Sequence, residues 1–158
     1  MPILRLAGKA PRRRRPVNSA LGAMKLVALT SAPNADWLRL RRALWPDGSD
    51  AEHEDEMAEF VAAADRYGQF MACAEDGQPI GLAEVSLRSD YVNGTESSPV
   101  AFLEALFVVP AWRKRGVARA LLLTVTSWAR ARGCSELASD TQLENTVKSA
   151  RDIAETAA

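Results

Sequence analysis

A cluster of cations and one glycine stands where an apolar segment gives way to a helical pattern. Arg113, Lys114, Arg115 and Gly116 follow shortly after the apolar run Val100–Val109. The first N–H groups of a helix have no intrahelical partner, and the helix dipole adds partial positive charge there, so a phosphate could bind. Glycine has no side chain to hold a phosphate away from the backbone. The spacing alone fits an ordinary solvated turn equally well.

Two features of the flanking sequence favour anion binding. Arg119 adds a cation to the N-terminal end of the predicted helix, where the dipole disfavours cations and a bound anion would compensate. Between residues 118 and 132 the helix carries an apolar stripe, which would pack it onto a core. The stripe consists of Leu121, Leu122, Val125, Trp128 and Ala129.

Two carboxylates are candidates for acid–base chemistry. Glu104 is the lone charge in the run Val100–Val109, and burying an unpaired carboxylate costs on the order of several kcal/mol. Its side chain could reach solvent on a polar strand face, or it could bind a substrate and accept a proton. Asp140 follows a short predicted strand, where open α/β sheets place ligands, but it is also suited to cap a following helix.

The hydrophobic pattern predicts a mixed α/β fold that would position these residues. The element order is β-α-α-β-β-β-α-β-α, an antiparallel meander followed by one right-handed β-α-β crossover. Strands are predicted over 25–29, 69–74, 79–88, 100–109 and 134–138, and helices after Asn34 or Asp36, after Ser49 or Asp50, over 114–132 and from Leu143. The turn Glu75–Gln78 contains Asp-Gly, which is typical of a hairpin.

Composition limits the class of protein. The 158 residues, 47% of them hydrophobic, predict one domain with a real core. No apolar run approaches the roughly 18 residues that cross a bilayer, so we expect a soluble, cytoplasmic protein without a membrane partner. Cys73 and Cys134 form no disulfide framework or metal motif and are predicted to pack in the core. The single histidine, His53, argues against histidine metal sites, and we expect no metal; His53 itself is predicted on an exposed helix face.

The net charge of zero hides an asymmetry. Residues 1–25 contain seven cations and no acid, which leaves 13 basic against 20 acidic residues in the remainder. A negative body attracts cationic partners and repels nucleic acid, so no nucleic-acid partner is expected. The arginine run at residues 12–15 could still be a nucleic-acid arm or part of a targeting segment. We expect instead that residues 1–23 are a disordered basic extension or a misassigned start, because Met24 directly precedes the first predicted strand.

Several stretches occur together with the pattern Arg113-x-x-Gly116-x-Ala118. They are Leu44-Trp45-Pro46, Asp90-Tyr91-Val92-Asn93-Gly94, Ser97-Ser98-Pro99-Val100, Phe102-Leu103-Glu104, Gly133-Cys134, Ala138-Ser139-Asp140-Thr141 and Glu144-Asn145-Thr146. With the order of elements, they resemble the GNAT acyl-CoA-dependent N-acetyltransferases and, more narrowly, the aminoglycoside 6'-N-acetyltransferases. The resemblance covers about residues 24 to 147.

The resemblance implies the GNAT acyltransferase fold in a single domain over residues 24–158. It implies direct transfer of an acetyl group from acetyl-CoA to the 6'-amine of aminoglycoside antibiotics in a ternary complex, conferring resistance, by a homodimeric enzyme. After Thr146 the chain departs from the family pattern. We therefore expect a truncated domain that lacks the C-terminal strand hairpin and leaves strand 134–138 as an unpaired edge. The alternatives are a non-catalytic remnant that at most binds CoA, and a GNAT enzyme for another small cationic amine.

Residue roles follow from the same resemblance. Asp140 would accept the proton of the reactive amine, with Glu104 assisting. The predicted CoA contacts are Phe107, Val108, Val109, Arg113, Lys114, Arg115, Gly116, Val117, Ala118, Arg119 and Asn145. The predicted substrate contacts are Trp45, Tyr91, Glu96, Glu104, Asp140 and Glu144. The acidic segment from Asp47 to Glu56 could add negative potential for a polycation, although for most of it we expect a solvated helix face.

Overall fold

A computed structural model describes residues 3–6, 24–89 and 94–140, which form one six-stranded mixed sheet with helices on both faces. The strands are β1 (Ile3–Arg5), β2 (Lys25–Ala28), β3 (Tyr67–Cys73), β4 (Pro79–Arg88), β5 (Val100–Val108) and β6 (Glu136–Ser139), and the helices are α1 (Ala35–Leu44), α2 (Asp50–Ala62) and α3 (Val117–Ala131). The strand order across the sheet is β1-β6-β5-β4-β3-β2. The mixed α/β fold predicted from the sequence is confirmed.

The helix starts follow the predicted capping chemistry. The Asn34 side chain accepts a hydrogen bond from the Trp37 N–H at 3.0 Å, and Ser49 Oγ accepts one from the Glu52 N–H at 3.1 Å. The β3–β4 hairpin turns at Gly77, whose φ of +90° is one that glycine adopts readily. The α3 helix begins at Val117, three residues after the predicted start, because Arg113–Gly116 form a turn.

The sheet separates the two larger apolar cores of the described residues. Strands β2 to β5 form the antiparallel meander, and α3 provides the crossover that makes β5 and β6 parallel. On one face, α3 packs on the larger core, which includes Ala83, Val85, Leu103, Leu121 and Val125. On the other face, α1 and α2 cover a smaller core, which includes Leu29, Trp37, Leu40, Met57 and Leu82. Both cysteines are free and buried, and burial raises the pKa of each thiol.

A β-bulge interrupts β5 at Glu104. Glu84 pairs with Ala105 and the next residue, Val85, pairs with Leu103, so Glu104 has no partner of its own on β4. Bulges redirect a side chain and are frequent beside active sites. The bulge directs Glu104 toward the α1 and α2 face, where Ser86 contacts it.

The expectation that the last strand is an unpaired edge is wrong. β1 pairs antiparallel with β6, in a register that sets Ile3 opposite Ala138 and Arg5 opposite Glu136. Leu6 continues this contact, since its N–H donates to the Ser135 carbonyl at 2.8 Å and its side chain is buried in the α3-side core. Residues 3–6 thus belong to the sheet. Residues 7–23 lie outside the described residues, so the domain boundary at residue 24 stays a prediction.

Two further predictions concern the ends of the described region. β6 spans 136–139 where residues 134–138 were predicted, and the helix predicted from Leu143 lies outside the described residues. In the part of the chain that the structure describes, no helix has the length and apolar character needed to cross a membrane.

Candidate active site

An acidic pocket of about 550 Å³ lies between the helices α1 and α2 and the sheet. Its lining comprises Arg41, Trp45, Gly48, Glu52, His53, Glu56, Glu59, Phe60, Tyr67, Glu84 and Glu104. Five of these side chains are carboxylates and one is a guanidinium. A concave site with this excess of negative charge concentrates cationic ligands.

Arg41 and Glu84 form a buried ion pair at the base of the pocket. Arg41 Nη1 donates to both carboxylate oxygens of Glu84, at 2.5 and 2.7 Å, and the Trp37 indole N–H donates to one of them at 2.8 Å. Burial raises the pKa of the Glu84 carboxyl, while the Arg41 charge and these hydrogen bonds oppose that rise. Arg41 also pairs with Glu56 through Nη2. The pair therefore ties α1 to β4 and α2.

Aromatic rings flank the same guanidinium. The Cζ of Arg41 lies 4.8 Å from the centre of the Trp45 ring and 5.7 Å from that of Phe60, both within cation–π range. Tyr67 packs on Phe60 with ring centres 4.7 Å apart. Trp45 is 36% exposed, so its ring remains available to a ligand.

His53 is buried, and its predicted exposure is wrong. Only 4% of the residue is exposed. Its Nδ1 accepts from Arg41 Nε and its Nε2 contacts the Trp45 carbonyl, each at 3.2 Å. The sequence held a signal for this, because His53 precedes Met57 by four residues and so lies on the same apolar face of α2.

Glu104 is held at the pocket wall by two hydrogen bonds. Ser86 Oγ donates to Glu104 Oε1 at 2.7 Å, and Arg88 Nη2 donates to the same oxygen at 3.0 Å. The side chain is one-third exposed. The carboxylate is therefore fixed in direction and still reachable by a ligand.

Strands β5 and β6 separate beside Glu104. Their last paired residues are Leu103 and Ser139, and Ser139 Oγ also donates to the Leu103 carbonyl at 3.3 Å. The next residues, Glu104 and Asp140, therefore stand on either side of the opening between the strands. Beyond Leu103, every second N–H and C=O of β5 points away from β4 and into this opening.

The turn before α3 presents cations and free N–H groups. Gly116 has a φ of +87°, and a Cβ added to it would meet nothing within 4 Å, so the space beside it is open. The first α3 hydrogen bond runs from the Ala120 N–H to the Gly116 carbonyl at 3.1 Å, which leaves the N–H groups of 117–119 without helical acceptors. Arg113–Gly116 are exposed. Arg113 Nε donates to the Val108 carbonyl at 3.0 Å.

Comparison with known proteins agrees with this geometry. The model of the acetyltransferase (GNAT) family matches residues 35–149. The chain belongs to the GNAT family. It is 52% identical over 116 residues to an aminoglycoside N(6')-acetyltransferase type 1 of Stenotrophomonas maltophilia, covering 73% of this chain and 74% of the relative. A relative of the same name from Serratia marcescens is 48% identical over 76% of this chain and 82% of its own.

Two solved structures resemble this GNAT chain closely. One is AAC(6')-Iy in complex with the bisubstrate analogue CoA-S-monomethyl-acetylneamine, with a TM-score of 0.73 and 40% identity over 85% of this chain and 88% of that one. The other is AAC(6')-Ih from Acinetobacter baumannii, with a TM-score of 0.70 and 40% identity over 84% and 88% of the two chains.

The GNAT structure brings some of the predicted site residues together and separates others. Trp45 and Glu104 both line the pocket. Asp140 is exposed at the end of β6 and is not part of the pocket lining. The Glu96 carboxylate lies 3.4 Å from the Arg5 guanidinium, also away from the pocket lining. Tyr91, Glu144 and Asn145 lie outside the described residues.

Several pocket residues were missed by reasoning from the sequence. Glu84 is the lone charge among Pro79–Leu87, the same signal that singled out Glu104. Glu59 also lines the pocket, and it lies beyond the acidic segment that the sequence singled out. Glu52 and Glu56, two members of that segment, line the pocket as well. Among the described residues, no group of three or more His, Cys, Asp or Glu side chains could hold a metal ion.

Proposed function

We propose that this protein transfers the acetyl group of acetyl-CoA to the 6'-amine of an aminoglycoside within a ternary complex. The observation that carries the proposal is the acidic pocket with Glu104 in its wall, directly beside the opening between β5 and β6. A polycationic acceptor fits the pocket, and an extended acyl donor fits the opening. The relative that holds a CoA–acetylneamine analogue supports pairing these two ligands in one site.

The donor would bind along the open edge of β5. The backbone of Val108 faces away from β4 and offers its N–H and C=O groups to the amides of the pantetheine arm, in the manner of an added strand, whereas the Val109 N–H already donates to the Ile80 carbonyl. Phe107 and Val109 remain predicted contacts of the arm. Arg113 now donates to the Val108 carbonyl that such an arm could use. Binding of the arm would therefore release the Arg113 guanidinium toward the phosphates.

The pyrophosphate would bind at the start of α3. Lys114 and Arg115 supply charge, and the N–H groups of Val117, Ala118 and Arg119 supply donors that have no helical acceptor. The open space at Gly116 lets phosphate oxygens approach the backbone. Asn145, outside the described residues, remains a predicted contact of the CoA arm.

Acetyl transfer needs the acceptor amine in its neutral form. Acetyl-CoA supplies the acetyl group as a thioester. Asp140 accepts a proton from the substrate ammonium, directly or through water, and Glu104 assists from the opposite side of the opening. The freed lone pair then attacks the thioester carbonyl carbon, a C–N bond forms, the C–S bond breaks, and the nitrogen loses its second proton to water. The sulfur leaves as a thiolate, which needs no strong acid because thiols ionise near pH 8.5.

The pocket would hold the rest of the acceptor through charge and ring contacts. Glu52, Glu56 and Glu59 lie where they can pair with further ammonium groups of an aminoglycoside. The exposed ring of Trp45 can stack on the C–H face of a sugar. Tyr91, Glu96 and Glu144 remain predicted substrate contacts.

Release of free CoA thiol tests this function. The purified protein is incubated with acetyl-CoA and tobramycin or kanamycin, and a thiol reagent follows the reaction. We expect thiol release that depends on both substrates. A folded protein that releases no thiol with any aminoglycoside would exclude the proposed activity, and a panel with polyamines and peptides separates it from a GNAT enzyme for another amine. We further propose a cytoplasmic homodimer, which light scattering after size exclusion checks for the oligomeric state.

A further inference from the structure

We propose that His53 is a positioning residue that holds Trp45 in the wall of the acceptor pocket. The inference rests on the proposed function insofar as Trp45 contacts the acceptor. Its structural basis is a set of contacts among α1, α2 and the loop between them. His53 is the single histidine of the chain, and no step of the proposed chemistry uses it.

The hydrogen bonds of His53 fix its protonation pattern. A guanidinium can only donate, so the Nδ1 that receives Arg41 Nε carries no proton. The proton of the neutral ring is then on Nε2, which donates to the Trp45 carbonyl at 3.2 Å. A proton on Nδ1 would place two N–H donors, that of His53 and that of Arg41 Nε, against each other. The geometry therefore selects one tautomer of His53.

The backbone of Trp45 is held on both sides. Its N–H donates to the Arg41 carbonyl at 2.8 Å. Its carbonyl accepts from the Gly48 N–H at 3.2 Å as well as from His53 Nε2, so both lone pairs are used. Trp45 directly follows the last residue of α1 and is more than one-third exposed, so burial does not fix its position. The hydrogen bonds of its N–H and carbonyl groups fix the backbone of Trp45 instead.

Gly48 provides the space for this arrangement. A Cβ at residue 48 would lie 2.9 Å from His53 Nε2, closer than packed atoms approach, and 3.1 Å from Cε1, which is also tight. Any side chain there must push the imidazole away from Trp45. Gly48→Ala is therefore a way to disturb the contact without removing a hydrogen-bonding group.

The ring of Trp45 depends on the same residues. It lies against the Arg41 guanidinium, and its centre is 6.4 Å from that of His53 with an angle of 23° between the planes. Holding the ring in place before binding removes the cost of ordering it in the complex. Loss of His53 should weaken acceptor binding and leave donor binding unchanged.

Three variants separate the two hydrogen bonds of His53. His53→Gln can still reach the Trp45 carbonyl, whereas His53→Asn can reach only Arg41. We expect His53→Asn and Gly48→Ala to raise the KM for tobramycin about three- to tenfold. The kcat and the KM for acetyl-CoA should be nearly unchanged, because Trp45 contacts the acceptor equally in the ground state and in the transition state. His53→Gln should restore most of the loss. Ala58→Gln, an exposed change on α2, is the matched control.

Nitrogen NMR tests the geometry without substrate. The one imidazole should show a protonated Nε2 and an unprotonated Nδ1 near pH 7.5, with a slowly exchanging Nε2–H. The Trp45 indole signal should shift or broaden in His53→Asn and Gly48→Ala, and not in Ala58→Gln. An averaged tautomer, or an unchanged indole signal, would overturn the proposal even if acetyl transfer occurs. If the wild type transfers no acetyl group, the function fails while this spectrum still decides the role of His53.

Discussion

Arg41 and Glu84 meet across the interface between α1 and β4, and both residues are at most 2% exposed. One nitrogen of the guanidinium donates to both carboxylate oxygens. Charges this deeply buried are tolerated only when paired and hydrogen-bonded. The pair is therefore the base on which the α1 and α2 side of the pocket is built.

Removing one member of this pair should destabilise the protein strongly. Arg41→Met leaves the Glu84 charge without its partner, and we expect a loss of about 3–5 kcal/mol in the free energy of unfolding, measured with denaturant. Arg41→Met combined with Glu84→Gln should recover part of the loss, because the neutral amide can still accept from Trp37. A loss below about 1 kcal/mol for Arg41→Met would contradict the buried pair.

Glu104→Gln should lower kcat without preventing CoA binding. General bases contribute about 10²–10⁴-fold, and Asp140 can take over part of the proton transfer, so we expect a decrease of about 10- to 100-fold. Glu104→Gln with Asp140→Asn should lower kcat further. Glu75→Gln, the same change on the exposed β3–β4 turn, serves as the control. An unchanged kcat in the double variant would remove both carboxylates from the mechanism.

Two glycines with similar φ angles give a matched test of the phosphate turn. Gly116 and Gly77 have φ values of +87° and +90°, and a Cβ at either meets nothing within 4 Å. Alanine at each should cost about 1–2 kcal/mol of stability through backbone strain alone. Only Gly116→Ala should also raise the KM for acetyl-CoA, as steady-state kinetics would detect. An equal effect of both variants on that KM would argue against the turn as the phosphate site.

The contact between β1 and the sheet should contribute measurable stability. Leu6 is buried in the α3-side core, and we expect Leu6→Ala to cost about 2 kcal/mol. Leu123→Ala removes the same atoms from an exposed position on α3 and should change stability by less than about 0.5 kcal/mol. Thermal or denaturant unfolding compares the two. Equal, small effects would mean that β1 does not pack as described.

Glu136 should make the free energy of unfolding depend on pH in the acidic range. Its carboxylate accepts from the Ser97 hydroxyl and the Glu96 N–H, and with the Arg5 charge these contacts hold its pKa below the usual range. A lowered pKa adds stability above the ordinary glutamate value near 4.3, and this stability is lost as the pH falls through the folded-state pKa. Glu136→Gln should therefore be less stable than wild type near pH 7, by on the order of 1 kcal/mol. The gap should close below about pH 4 in denaturant titrations, and a gap that widens there would contradict this sign.

Much of the fold could be predicted because the local sequence patterns specify the same helices and turns that the tertiary structure contains. The Asn34 and Ser49 caps, the Asp-Gly hairpin and the apolar stripe of α3 are local features that the tertiary structure keeps. β1 could not be predicted. Three residues are too few to show a period, and the place of Ile3 and Leu4 in a strand follows only from the pairing of β1 with β6.

Site residues could be predicted where a single residue differed in type from its sequence neighbours. They were missed where the role of a residue depends on contacts with residues distant in the sequence. Glu104 was visible as a lone charge in an apolar strand. Arg41 lies in the segment Arg39–Arg42, which has three arginines, and nothing local indicates which of them is buried. His53 was missed because its partners lie outside its own helix, Arg41 in α1 and Trp45 directly after α1.

The position of the acetyl group in the product shows whether the protein is a 6'-N-acetyltransferase. The protein is incubated with tobramycin and acetyl-CoA carrying ¹³C in the acetyl carbonyl, and the product is examined by NMR. We predict a single acetamide on the 6'-nitrogen. Acetylation at another nitrogen, or no acetylated product from a folded protein, would contradict it.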